Sequence, residues 1–101
     1  MNEKATHQQV QVVFPDNIKG GVYSNYMVVR HTKEEFVLDF IMVVPPAGSV
    51  TARVVISPGH MKRMISALKE NMGKYESNFG KVAEAAEPPR PLGFHPPTQK
   101  E

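Results

Sequence analysis

At 101 residues, with 22% charged side chains and a formal net charge of +2 at pH 7, the chain is sized for one domain and too weakly basic for charge alone to specify a nucleic-acid partner. It contains no cysteine, which excludes a disulfide frame, thiolate zinc ligation and thiol catalysis together. The opening MNEKATHQQ lacks the apolar stretch of a secretory signal, and no apolar run approaches the about 20 residues of a membrane span, so a soluble cytoplasmic protein without membrane contact is expected.

Residues 1–8 are polar and expected to be a flexible N-terminus. QVQVVF, Gln9 to Phe14, alternates polar and apolar positions and is rich in β-branched residues, which predicts a first strand closed by Pro15 and Asp16-Asn17. Gly20-Gly21 precedes VYSNYMVVRH, Val22 to His31, a second strand that turns through Thr32 to Glu34 into a third, EEFVLDFIMVV. With a loop at His31 to Glu34, Arg30 would face Glu35, Met27 would face Leu38, and Tyr26 would face Asp39. Pro45 to Ser49 reads as the next turn and Val50 to Ile56 as a fourth strand, with Val44 opposite Val50, Leu38 opposite Ile56 and Arg53 opposite Ile41.

Ser57-Pro58 predicts a helix start, a hydroxyl cap followed by a proline where its missing N–H costs nothing. From there Met61, Ile65, Leu68, Met72, Tyr75 and Phe79 recur at spacings of three and four, one apolar stripe of a long helix ending near Gly80. After Val82 the composition turns Pro-rich, with little to build a core, and a disordered tail over 83–101 is expected. Its Pro88-Pro89-Arg90-Pro91 fits a P-x-x-P recognition pattern of low specificity. The expected fold is α+β: a single domain over 9–82 with a four-stranded antiparallel sheet followed by one long C-terminal helix, β-β-β-β-α.

Asp39 interrupts the apolar run EEFVLDFIMVVPP and poses the main functional question of the sequence. If the helix covers the sheet face bearing Leu38, Phe40 and Met42, the opposite face still carries Val28, Val37, Ile41 and Val43, too apolar for solvent. A second copy is the simplest cover, and Arg53, diagonal to Asp39 on that face, is its natural ion-pair partner. The candidate dimer interface is therefore Tyr26, Val28, Val37, Asp39, Ile41, Val43 and Arg53. The alternatives for Asp39 are a solvated acid at a sheet edge and a catalytic carboxylate.

Little in the sequence resembles reactive chemistry. His7, His31, His60 and His95 share no metal-ligand spacing, Gly20-Gly21 lacks a phosphate-loop pattern, and no serine has a nucleophile-elbow context. Neither a catalytic residue nor a metal or cofactor site is expected. Lys62, Arg63, Lys69 and Lys74 on the helix, with Arg30 and Lys33 at the hairpin tip, form the candidate nucleic-acid contact.

The residues Tyr23-Ser24-Asn25, EEFVLDF at Glu34 to Phe40, and ISPGHMKRMISALKENMGKYESNFG at Ile56 to Gly80 resemble the small bacterial family known as domain of unknown function 3467. Its pattern has an acid-rich turn into F-x-x-D-F, an S/T-P-x-H start to a helix, and a helix end near Y-E-x-x-F-G, met here by Asp39, Pro58, His60, Tyr75, Glu76 and Gly80. The resemblance implies a fold-sized unit and no reaction. The β-β-β-β-α order also resembles the repeating unit of Whirly and Pur-alpha type single-strand binders, although this chain has no tryptophan for a stacking platform. The leading expectation is a non-enzymatic homodimeric interaction module, and the second a weak single-strand nucleic-acid binder.

Overall fold

The computed structural model describes residues 8–86. The expectations for the first seven residues and for most of the Pro-rich tail lie outside the described residues. The order of elements is a short 3-10 turn at Asp16–Ile18, then β1 (Tyr26–His31), β2 (Phe36–Val44), β3 (Ala47–Ile56) and α1 (Pro58–Phe79). The fold is α+β, with an antiparallel sheet in the order β1-β2-β3 and one C-terminal helix.

Among the described residues the sheet has three strands where the sequence predicts four. Gln9 to Phe14 is not a strand here, and Val10, Val12, Val13 and Phe14 are all exposed. Alternation supplies a strand's two faces, but a strand also needs an edge to hydrogen-bond to, and no described strand pairs with this segment. The likeness to four-stranded single-strand binders loses its topological basis with that strand.

Both expected registers slip. Thr32 closes the first hairpin: its N–H donates to Glu35 O, and its Oγ1 accepts from the N–H groups of Glu34 and Glu35. This places Arg30 opposite Val37, Val28 opposite Asp39 and Tyr26 opposite Ile41, two residues along from the expected pairing. Between β2 and β3 the turn contracts to Pro45-Pro46, joined by a cis peptide bond, so that Val44 faces Ala47. An irregularity at Phe40/Ile41 takes up one residue of β3, and beyond it Asp39 faces Arg53 and Leu38 faces Val54.

The helix follows its local signals closely. Ser57 Oγ accepts from the His60 N–H, Pro58 occupies the first turn, and Gly80 ends the helix at φ 98°, a left-handed value that glycine takes without the cost of a Cβ. The expected packing of this helix over its own sheet does not occur. Extensive contact is confined to β1 with β2 and β2 with β3, and no residue of α1 is buried. The core is correspondingly small: Leu38, Ile41 and Val43, all from β2, with Asp39 among them.

Candidate functional site at Asp39

β2 is the central strand, so its middle residues are flanked on both sides, and Asp39 lies there at 0% exposure. Arg53, directly across on β3, reaches it with two parallel bonds, Nε to Oδ1 at 2.6 Å and Nη2 to Oδ2 at 2.8 Å. Arg30 on β1 adds a third, Nη2 to Oδ2 at 3.3 Å. One carboxylate is thus clamped between guanidinium groups from both neighbouring strands. A fork of N–H donors matches the two carboxylate oxygens, which is why arginine suits this position and lysine would not.

The hydrogen bonds from Arg53 hold the Asp39 carboxyl below its ordinary value of 3.8; burial pushes the other way, and Arg30 adds to the lowering. Asp39 in turn raises Arg53 further above its usual range. Both carboxylate oxygens are occupied and enclosed, which suits an ion-pair core and leaves no free lone pair directed at solvent.

The pairing of Asp39 with Arg53 is the one expected, brought about by a direct cross-strand contact rather than a diagonal one. Arg30 is the partner that sequence reasoning missed. Expected at the hairpin tip opposite Glu35, it instead lies opposite Val37 and points to Asp39 with its side chain 18% exposed. The available signal was parity, since Arg30, Asp39 and Arg53 fall on one sheet face in the observed register. Of the remaining interface candidates, Ile41 and Val43 are enclosed within the single chain, while Tyr26, Val28 and Val37 are half-buried.

Lys33, Lys62, Arg63, Lys69 and Lys74 are exposed. At about 100° per residue the four helix cations fall within an arc of roughly 140° away from the apolar stripe, Lys62 and Lys69 nearer the stripe and Arg63 and Lys74 further round, beside Glu70. Lys74 pairs with Glu70 at 3.7 Å, and Arg63 Nη2 is 3.0 Å from His60 Nδ1.

The other pattern residues are occupied in holding the fold. Asn25 bonds the backbone of Val43 with both ends of its amide, donating from Nδ2 at 3.0 Å and accepting at Oδ1 at 2.8 Å, and so prolongs the β1–β2 ladder by a side chain. Ser24 Oγ lies within hydrogen-bond distance of both Tyr26 O and Ile41 O. Glu76 accepts the Gly80 N–H on its backbone and the Val82 N–H on its carboxylate, and Tyr75 stacks obliquely on Phe79. Among the described residues no group of three or more His, Asp and Glu side chains could hold a metal ion, and no helix is long and apolar enough to cross a membrane.

A family model described as a protein of unknown function, DUF3467, matches residues 1–84. The chain belongs to that family. No curated protein and no solved structure matches it.

Proposed function

We propose that this DUF3467 member is a non-catalytic, homodimeric interaction module of the cytoplasm. The observation that carries the reading is the mismatch inside one chain between apolar surface made and apolar surface covered. Ile65, Leu68 and Met72 on α1 are half or more exposed, and so, nearly, are Met27, Val29 and Val54 on the sheet. A small domain that leaves two such surfaces bare gains most by associating with a copy of itself. The absence of catalysis is supported by the state of Asp39, whose oxygens are committed to two arginines, and by the structural employment of Ser24, Asn25, Ser57 and Glu76.

Light scattering at micromolar concentration tests the reading: a mass near twice the 11.3 kDa of the chain is expected, and a clean monomer would overturn it. Nucleic-acid binding has less behind it, because Glu70 sits among the helix cations and pairs with Lys74, and Arg30 is bonded to Asp39. A pull-down with and without nuclease separates the two, since only a nucleic-acid tether is lost on digestion.

A further inference from the structure

The geometry points to reciprocal helix exchange: in the dimer, α1 of each copy lies across the open sheet face of the other. This rests on the dimer reading and adds what covers what. The face concerned carries Met27, Val29, Leu38, Met42 and Val54, opposite to the one holding the Asp39 cluster. Leu38 is buried there, but Met27, Val29, Met42 and Val54 keep 37 to 45% of their surface open.

Three properties of the chain commit this face to a second copy's helix. The first is fit. The 22 residues of α1 span about 33 Å, and the 9 and 10 residues of β2 and β3 span about 30 to 33 Å. Three strands are about 10 Å across between the outer axes, close to the diameter of one helix. One helix therefore covers the face.

The second property is the link. Only Ser57 separates Ile56 from Pro58, fewer than the roughly two to six residues that usually return a helix onto its own strand. Ser57 is extended, at φ −78° and ψ 158°, and both its carbonyl and its hydroxyl are engaged with the helix start, at Met61 N–H and His60 N–H. The helix thus starts with no loop in which to fold back, and its stripe from Ile65 onward stays exposed.

The third is area. Four half-exposed large apolar side chains on the sheet face and five on α1, each contributing on the order of 80 Å², give about 1,400 Å² over two copies, within the size of a stable specific interface. Exchange between two identical chains closes by two-fold symmetry and leaves neither stripe bare.

The cysteine-free chain allows a direct test. Val29→Cys and Leu68→Cys are introduced together, and the protein is treated with a short bismaleimide under native conditions. The expected product is a covalent dimer whose peptide map contains a link between positions 29 and 68. In a covalent dimer that link must run between copies, because a chain closed on itself has no cysteine left. The pair Met42→Cys with Met72→Cys is run in parallel, so that a fold lost in one variant, or a linker too short for one pair, leaves the other to report. Links found in monomers would show the helix on its own sheet and overturn exchange. Links only between two copies of position 68, or neither expected link in a protein that light scattering shows to be dimeric, would overturn exchange while leaving the homodimer intact. A monomeric mass would remove both.

Discussion

The sheet centre and the helix are opposite solutions to burial. Around Asp39 the chain encloses a charge and answers it internally, with bonds from Arg53 and Arg30. Along α1 it builds an apolar stripe of six regularly spaced side chains and leaves all but the half-buried Met61 exposed. A buried carboxylate must meet its partners at once, because an unpaired charge out of water is costly. An exposed apolar stripe has no comparable local penalty and can wait for a partner. The sheet centre is therefore complete in one chain, while the helix leaves most of its stripe exposed in that chain.

Changes to the helix stripe should break that contrast most. Leu68→Asp puts a charge into the proposed interface and should weaken association by about 3 to 5 kcal/mol, giving a monomer by light scattering while circular dichroism stays close to that of the parent. Persistence of the dimer would mean that the stripe is not its contact surface.

Asp39→Ala strikes the other region. It should destabilise the folded chain by about 1 to 3 kcal/mol in chemical denaturation, less than for a deeply buried pair, because the Arg53 side chain is 47% exposed and water screens the guanidinium left behind. Adding Arg53→Met should restore only part of the loss, since Arg30 still faces the site. The triple change with Arg30→Met should restore more. Full recovery in the double variant would show that Arg30 contributes nothing.

Acid sharpens the same point. The folded carboxyl of Asp39 titrates below its ordinary value of 3.8, so its contribution is fully present above that value and is lost as pH falls through the folded one. The stability difference between the parent and Asp39→Asn should be flat from pH 7 to about 5 and shrink on further acidification. A difference that grows with acid would reverse the assigned sign.

Smaller effects are expected from local helix contacts. Ser57→Ala removes the acceptor for the His60 N–H and should cost about 1 kcal/mol in thermal or chemical unfolding. Glu70→Gln disrupts an exposed pair at 3.7 Å and should cost no more than about 0.5 kcal/mol, diminishing with added salt.

The sequence by itself determined the features whose causes are local. The helix begins and ends at its predicted signals because Ser57-Pro58 and Gly80 act within a turn of where they stand. The ion pair of Asp39 with Arg53 was legible despite the slipped registers, because the shift there is an even number of residues and leaves each side chain on its face. Tertiary structure decided what depends on chain segments far apart. The exact registers followed from the Thr32 turn and the contracted Pro45-Pro46 turn, and with them came the role of Arg30. Gln9 to Phe14 has a strand's alternation but no paired edge, and α1 has a core helix's stripe but no sheet of its own to cover. Pattern specifies which surface a segment wants to bury, since that follows from side-chain periodicity along the backbone. Where it is buried depends on the reach and stiffness of the connections, and α1 follows β3 after the single residue Ser57 with no residue buried.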